Sequence, residues 1–453
     1  MHPGLIISRF LYGSAASAHA WLHAGAYVAR SRKPRAHRRP TSPQSPPRLL
    51  FLCRTFPPAL DGGVYRLVAL IKAARASGWE VDVVTREPPA EASAAGRELA
   101  DSIPDGVRVR SWERPQSEPI ARISPTIDGG FLEIDCILKT AREFPAPTVI
   151  LASGPMFSEF VAARALSAET SAPYVLGYRD EWTTNLFAFV SRGITDRFWE
   201  RFALSGASAI VCATNGMARE LVQSFGTDIA TRIHVIPNGW DPVPTGSEPL
   251  TTPAPVEELA RSLGFFGTLT EDIDLGIDDF LADAEAVMAS RPDLVERLRL
   301  RFVGRKSPTM EERLTTNPIS QMIATVDHQP VSTVCLEMQG SLGLLLLNGP
   351  RVARAVPGKT YQYIAARRPI LIYGKGGDLE GLLAGTPGTR MIGTGNRAEL
   401  ERALDELISG ALERELAQRD EHLEQATSRA VRSREYLEVL ATVAREGATA
   451  AAI

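Results

Sequence analysis

Short apolar strands alternate with helical stretches along almost the whole chain after residue 48, and this alternation constrains the fold more than any other feature. Residues 49–53 form the first apolar run. Val64, Leu67, Val68 and Ile71 then recur at the spacing of one helix face. Further apolar or β-branched runs lie at residues 81–84, 107–109, 148–151, 174–176, 209–212 and 233–236. This order predicts an α/β protein whose parallel, doubly wound sheet is covered by helices on both faces.

The alternation is interrupted once and then resumes. Residues 241–256 hold five prolines and lack periodicity, which predicts an interdomain linker. A second α/β series follows, with apolar runs at 263–266, 298–303, 342–347 and 369–373 and a polar helix at 397–409. We therefore expect four segments besides the linker: a tail at 1–47, a Rossmann-like domain at 48–240, a second one at 257–424, and a terminal helix and tail at 425–453.

Charge and cysteine content argue against several classes of protein. The net charge is −3, but residues 1–47 carry seven cations and no acidic side chain, so the remainder sums to −10. An acidic body argues against nucleic-acid binding. The cysteines are far apart in sequence and fit no metal-ligand spacing, which predicts reduced thiols in a cytoplasmic protein and no metal site. A P-loop sequence is absent, which argues against a P-loop nucleotide hydrolase.

The basic tail allows two interpretations. Residues 10–29 lack charged side chains, but their Ala, Ser and Gly content is weakly apolar for a spanning helix. An interfacial helix, with its arginines on lipid phosphate, would give peripheral contact with an anionic membrane at its inner face. The alternative is a disordered tail, or a start codon assigned too far upstream. The expected location is cytoplasmic under either interpretation.

The segment at residues 355–372 predicts an anion site. Pro357 and Gly358 break the chain, and a short helix follows with Lys359 in its first turn and Gln362 one turn later. A lysine at a helix N-terminus adds a full positive charge to backbone N–H groups that already favour anions. The segment therefore predicts a seat for a phosphate or diphosphate. A surface helix with a solvated lysine is the alternative interpretation.

This segment resembles the donor-binding segment of family 4 retaining glycosyltransferases, in the branch that reads P-x-K-x-Y-E-Y-x-A-x-x-x-P. Residues 54–63 lie where such enzymes have a P-x-x-G-G turn, so Gly62 and Gly63 would let backbone approach a sugar; a turn that merely needs glycine is the alternative. Residues 233–241 are similar to the family's I-x-V-I-P-N-G-V-D element.

Residues 178–183 are similar to the branch's F-R-D-x-W segment. The resemblance implies that Asp180 accepts a hydrogen bond from an acceptor hydroxyl and that Arg179 keeps Asp180 ionised. A purely structural ion pair between the two is the alternative. In the second domain, the resemblance places Gly267 and Thr268 beside the donor diphosphate, and it places Arg305 or Lys306 at the cleft.

The chain also departs from the family pattern. Residues 268–274 are acidic, where many members carry an arginine and a lysine for the leaving diphosphate. The family's paired glutamates fall on Arg354 and Gln362. Gln362 can still hydrogen-bond ribose hydroxyls, and Arg354 could grip phosphate with two donors. We expect Lys359, the helix dipole and either Arg351 or Arg354 to neutralise the diphosphate.

The resemblance implies a GT-B fold, in which two Rossmann-like domains face each other across a cleft and the final helix returns to the first domain. It implies a metal-independent, retaining hexosyltransferase that needs no cofactor. Such an enzyme moves sugar from a nucleotide-diphosphate-sugar to a glycan or lipid-linked acceptor in polysaccharide or glycoconjugate synthesis. A nucleotide-sugar epimerase of the same fold and a catalytically silent sugar-nucleotide-binding partner in a polysaccharide assembly complex remain the alternatives.

Overall fold

The structure is a computed structural model of the 453-residue chain. It describes residues 25–26, 28–29, 45–113, 131–186, 195–241, 251–271, 273 and 275–452. Both interpretations of the basic tail therefore concern residues that lie mostly outside the described part. The same holds for most of the linker expected at 241–256, so the domain boundaries stay a prediction. Within the described residues, no helix combines the length and apolarity needed to cross a membrane.

The first sheet is wholly parallel, and its seven strands run in the order β3-β2-β1-β4-β5-β6-β7. The strands are β1 Arg48–Cys53, β2 Glu80–Arg86, β3 Arg108–Trp112, β4 Val149–Gly154, β5 Tyr174–Tyr178, β6 Ala209–Cys212 and β7 Ile233–Val235. Each strand coincides with one of the apolar runs in the sequence. The strand order reverses between β1 and β4, and ligands bind at such a reversal in open α/β sheets.

The second sheet is also parallel, with six strands in the order β10-β9-β8-β11-β12-β13. The strands are β8 Ser262–Phe266, β9 Arg299–Val303, β10 Ile323–Val326, β11 Gly343–Leu347, β12 Ile370–Tyr373 and β13 Thr389–Ile392. The two-domain α/β prediction is therefore confirmed. The apolar runs had not indicated β10 and β13, which are the two edge strands of this sheet.

Helices cover both faces of each sheet. Those of the first half are α1 Val64–Ala76, α2 Ala94–Asp101, α3 Phe131–Ala141, α4 Ser158–Thr170, α5 Asp196–Gly206 and α6 Asn215–Phe225. Those that follow are α7 Val256–Leu259, α8 Ile277–Ser290, α9 Pro292–Arg297, α10 Pro308–Thr315, α11 Val331–Gly340, α12 Gly358–Ala365, α13 Gly377–Leu383, α14 Arg397–Ile408, α15 Ala411–Glu415, α16 Glu421–Ala426 and α17 Arg429–Ala452. Short 3₁₀ helices lie at Thr227–Arg232, Ser320–Met322, Pro350–Val352 and Leu416–Gln418.

Successive residues of β1 pack on opposite faces of the first sheet, as the two-residue period of a strand requires. Leu50 and Leu52 lie in a core with helices α3 to α6. Leu49 and Phe51 lie in a separate core with α1 and with the last helix, α17. The chain therefore ends by covering the sheet with which it began. The four cysteines are free thiols.

Candidate functional site

The candidate site lies where the carboxyl ends of the strands of both sheets approach each other. In the first half, Arg54 follows β1, Gly154 ends β4 and Arg179 follows β5. In the second half, Gly267 follows β8 and Gly304 follows β9. Because all strands of each sheet are parallel, these residues lie along one edge of their sheet. Hydrogen bonds and ion pairs connect the two edges, for example between Thr214 and the backbone of Arg354.

Lys359 lies in the first turn of α12, as expected, and its amine reaches the end of β8. The Nζ atom lies 3.2 Å from the centroid of the Phe265 ring. It also lies so close to Gly267 that a Cβ atom there would come within 3.1 Å of it. Burial lowers the pKa of Lys359 well below its ordinary value. The amine makes no hydrogen bond or ion pair with any residue of the described ranges, so it is available to an anion.

The tyrosines on either side of Gln362 fix α12 against the second sheet. Tyr363 is fully buried, and its hydroxyl accepts a hydrogen bond of 2.8 Å from the backbone N–H of Phe266 in β8. Tyr361 is also buried. Gln362 itself is half-buried, and its amide makes no hydrogen bond within the part of the chain that the structure describes. The two tyrosines thus fix the helix that carries Lys359 and Gln362, the two residues expected to bind a ligand.

Arg179 is held by Asp61, a residue that the sequence analysis had missed. The Nη1 atom of Arg179 lies 3.0 Å from Oδ1 of Asp61, and Nε donates to the carbonyl of Gly154 at 3.1 Å. The same Asp61 oxygen accepts the backbone N–H groups of Gly63 at 2.7 Å and Val64 at 3.0 Å, at the start of α1. Burial opposes the ionisation of Asp61, but Arg179 and these donors outweigh it and hold the pKa of Asp61 below its ordinary value.

This arrangement corrects two expectations. Arg179 pairs with Asp61, so a structural Arg179–Asp180 ion pair is not observed, although the charge of Arg179 still favours the ionised form of Asp180. Gly63 lacks a side chain because the Arg179 guanidinium occupies that space: a Cβ atom at residue 63 would lie 1.1 Å from Nη1. Gly62, in contrast, has no atom within 4 Å of the position of a Cβ. Gly62 therefore remains the glycine beside which a substrate could approach.

Asp180 follows Arg179 directly but is in a different electrostatic situation. Its carboxylate is half-buried and makes no hydrogen bond with the described residues. Burial raises the pKa of Asp180, Arg179 acts against that rise, and the nearby Asp61 carboxylate adds to it. A carboxylate with a raised pKa and without a partner can accept a proton or a hydrogen bond from a hydroxyl group.

Arg354 does not have the free guanidinium that a phosphate ligand would need. It pairs with Glu181 at 3.0 Å and with Glu220, and it donates to the carbonyl of Thr184 at 2.8 Å. All three partners belong to the first half of the chain, so Arg354 links the two halves. Burial raises the pKa of Glu181 to about 7, although Arg354 opposes that rise. The expectation that Arg354 grips phosphate is not met in this arrangement, since acidic side chains occupy its donors.

A second contact between the halves lies beside Arg354 and was not indicated by the sequence. Asp378, at the start of α13, accepts a hydrogen bond of 2.6 Å from the backbone N–H of Gly216 in α6. Arg219 lies 3.5 Å from the same carboxylate. A Cβ atom at residue 216 would lie 2.2 Å from the carboxylate, so the contact depends on glycine.

The other cationic residues that the sequence analysis singled out are of two kinds, exposed and buried. Arg305 and Arg351 are exposed, and neither side chain has a partner among the described residues, which leaves both available for an anion. Lys306 is different: its side chain is 3% exposed and donates to the carbonyls of Gly304 and Val326 at 2.8 Å. Lys306 thus fixes the loop after β9. Of these two residues, Arg305 is therefore the better candidate for contact with a bound anion. Thr268 is exposed beside Gly267.

No cluster of His, Cys, Asp and Glu side chains suited to a metal ion occurs in the described ranges. In the segment that departs from the family, Glu271 accepts a hydrogen bond of 2.7 Å from Ser307. That contact stabilises the start of α10. The acidic character of the segment therefore has at least one structural explanation.

Comparisons with known proteins give a consistent picture. Residues 61–239 match the family model described as "Glycosyl transferase 4-like domain". A search of curated proteins returns no significant match. Among solved structures, the Anabaena protein HepE in complex with UDP-glucose aligns with a TM-score of 0.61 and 15% identity, over 87% of this chain and 99% of that one. The fold is GT-B.

Two further structures show how widely this fold is used. A trehalose-6-phosphate protein from E. coli bound with UDP-2-fluoro glucose aligns with a TM-score of 0.64 and 11% identity, over 87% of this chain and 98% of that one. A putative UDP-N-acetylglucosamine 2-epimerase from Listeria monocytogenes aligns with a TM-score of 0.54 and 12% identity, over 87% and 95%. At such identities the likeness concerns the GT-B fold, and one fold carries several activities.

Proposed function

We propose that the protein is a glycosyltransferase that moves a sugar from a nucleotide-diphosphate-sugar to a hydroxyl group. The observation that carries this proposal is the unpartnered amine of Lys359, held beside Gly267 at the edge of the second sheet. Structural neighbours of the chain are complexes with UDP-glucose and UDP-2-fluoro glucose. The family match over residues 61–239 supports the same class of reaction.

In the proposed reaction, Lys359 stabilises the negative charge that grows on the leaving diphosphate. A bound diphosphate would favour the ammonium form and so oppose the effect of burial on the pKa of Lys359. Gln362 would hydrogen-bond the ribose, while Thr268 and Arg305 would lie at the diphosphate. The backbone at Gly62 would face the sugar or the acceptor.

Asp180 would accept a hydrogen bond from the acceptor hydroxyl, and Arg179, fixed by Asp61, would orient that part of the cleft. The protein would then act mainly by aligning the two substrates and by electrostatic stabilisation. We further propose retention of configuration, transfer of a hexosyl group, independence of metals and cofactors, and a glycan or lipid-linked acceptor. The expected setting is polysaccharide or glycoconjugate synthesis in the cytoplasm, with the basic tail as a point of membrane contact.

A thermal-shift panel of UDP, GDP and ADP and of their sugars tests the proposal, because a ligand of the folded state raises its melting temperature. Lys359→Ala should then raise the barrier of the transfer step by about 2–4 kcal/mol while weakening donor binding less. Gln362→Ala should mostly weaken donor binding, since ribose contacts change little during the reaction. Lys139→Ala, which removes an exposed cation from α3, is the control for the loss of a cation. Unchanged turnover in Lys359→Ala would contradict the proposed role of this lysine.

The two alternatives can be separated by the same donors. An epimerase would convert the donor sugar without any acceptor. The Listeria neighbour, a putative epimerase, has the same fold. A silent binding partner would shift the melting temperature with a donor but release no nucleotide diphosphate. One observation favours the silent partner. Position 354, where the family carries a glutamate, is an arginine whose side chain pairs with Glu181 and Glu220. Slow donor hydrolysis without acceptor would exclude a silent partner.

A further inference from the structure

The side chain of Lys359 rests on an aromatic ring rather than on a hydrogen-bond acceptor. The distance of 3.2 Å from Nζ to the centroid of Phe265 is well inside the roughly 6 Å over which a cation and a ring attract each other. Phe265 is fully buried in β8, and the Phe302 ring of β9 supports it at 5.9 Å between centroids. The ring is therefore a rigid surface.

The ring and the glycine that ends its strand together define the position of the amine. Gly267 follows Phe265 by two residues, and it leaves open the space into which the amine extends. The helix that carries Lys359 is in turn anchored to the same strand through Tyr363 and the N–H of Phe266. Both ends of the lysine side chain are thus fixed relative to β8. Because the side chain as a whole is only half-buried, part of it stays open to the cleft.

We propose that Phe265 is a positioning residue, whose ring holds the amine of Lys359 at the end of β8 so that an incoming nucleoside diphosphate meets an amine that is already in position. This inference rests on the proposed function and extends it by one residue. A long lysine side chain loses considerable rotamer freedom when it is fixed, and the ring imposes that order before the ligand arrives.

The arrangement has an electrostatic consequence that a purely structural ring would not have. Burial favours the neutral amine, whereas the ring face and a bound diphosphate both favour the ammonium. Binding of a nucleoside diphosphate should therefore be accompanied by uptake of a proton at Lys359. Removing the ring should increase that uptake, because the free protein would then hold the amine in its neutral form to a greater extent.

The test is a double-mutant cycle on the full chain, with Phe265→Leu, Lys359→Met and the double variant. Binding of UDP, GDP and ADP is measured by titration calorimetry at pH 8, where a terminal phosphate with a pKa of about 6 is fully ionised. Titrations in two buffers of different ionisation enthalpy give the proton uptake. Phe302→Leu is the matched control, because it removes the neighbouring buried ring. Phe265→Met replaces the leucine variant if that variant does not fold.

We expect Phe265→Leu to weaken binding of the preferred nucleotide by about tenfold, in line with a desolvated cation–ring contact. In the Lys359→Met background the same change should have less than about a twofold effect, because the cation is gone. Proton uptake should rise in Phe265→Leu and disappear in Lys359→Met. An equal loss of affinity in both backgrounds, or an equal loss in Phe302→Leu, would show that the ring only packs. If the unaltered protein binds none of the three nucleotides, the proposed function itself is wrong, and this inference fails with it.

Discussion

At the scale of single residues, the absent side chain of Gly63 makes room for a charge. The Arg179 guanidinium fills the space beside this glycine and pairs there with Asp61. Asp61 also accepts the N–H groups of Gly63 and Val64 where α1 begins, so one carboxylate both stabilises the start of a helix and orients an arginine. A cation from the end of β5 is in this way fixed to the turn after β1.

Gly63→Ala should displace Arg179, because the new methyl group would overlap the guanidinium. The displaced arginine is the flexible end of a side chain, so we expect a modest loss of stability, about 1 kcal/mol, with a much larger loss of transfer activity. Gly381→Ala, in the exposed part of α13, is the control, since nothing lies within 4 Å of its Cβ position. Unfolding and initial-rate measurements on both variants check the prediction. Equal activities in the two variants would contradict the proposed role of Arg179.

The sequence indicated part of this site. The position of Lys359 in the first turn of a helix follows from Pro357 and Gly358, and the structure bears it out. The Arg179–Asp61 pair could not be found in this way, because its members lie 118 positions apart. A local signal for Asp61 did exist: an aspartate in a turn, followed by glycines, often accepts the backbone N–H groups two and three residues ahead. The pairing of Asp61 with Arg179, in contrast, depends on the tertiary structure alone.

At the scale of elements, the two halves meet through the loop before α12, the start of α13 and the start of α6. Arg354 joins Glu181 and Glu220, while Asp378 joins Gly216. The pKa of Glu181 in the folded protein, about 7, lies above the value of about 4.3 for an unfolded glutamate. The folded state therefore holds more protons than the unfolded state between these values. The stability that the neutral form of Glu181 contributes is lost as the pH rises through 7.

Arg354→Met should destabilise the protein more at pH 8 than at pH 6. At pH 8 the variant would leave an ionised Glu181 buried without its cation, at a cost of about 1–3 kcal/mol. At pH 6 the carboxyl group is largely neutral, so the cost should be smaller. Arg351→Met, which removes an exposed and unpartnered arginine, is the control. Urea unfolding of both variants at the two pH values measures the difference. A pH-independent loss would argue against this coupling.

The prediction of elements failed for the edges of the second sheet and succeeded for its centre. The central strands β8, β11 and β12 are buried throughout, so their apolar runs are easy to recognise. The edge strand β10 is half-buried along its length, and β13 has two half-buried residues between its buried ends. Side chains such as Thr325 and Arg390 suit an edge strand but weaken the apolar signal.

At the scale of the whole molecule, α17 connects the second half of the chain to the first sheet. It crosses from the second half and places Tyr436, Leu437 and Leu440 against β1 and α1. The GT-B resemblance implied this return, but the contacts themselves could not be deduced from the charged terminal segment. The helix begins at Arg429. Directly before it, an isolated β-bridge between Trp240 and Ser428 connects the two halves of the chain.

Leu440→Ala should lower the free energy of unfolding by about 2–5 kcal/mol, because Leu440 is fully buried and its truncation leaves a cavity. Glu438→Ala, two residues earlier on the exposed face of α17, should change it by less than about 0.5 kcal/mol. Chemical denaturation compares the two. Since Leu440 contacts the first half of the chain, the loss should appear in the unfolding of that half. A similar small effect for both variants would mean that α17 is not firmly docked.

The docking of α17 also affects how the protein is made. On the ribosome, β1 and α1 emerge well before α17, the helix that covers their outer apolar face. At about 5–20 residues per second, that face stays uncovered for on the order of tens of seconds. The first half therefore cannot complete its fold until α17 has been synthesised, and Leu49, Phe51 and Leu70 remain open to chaperones until then.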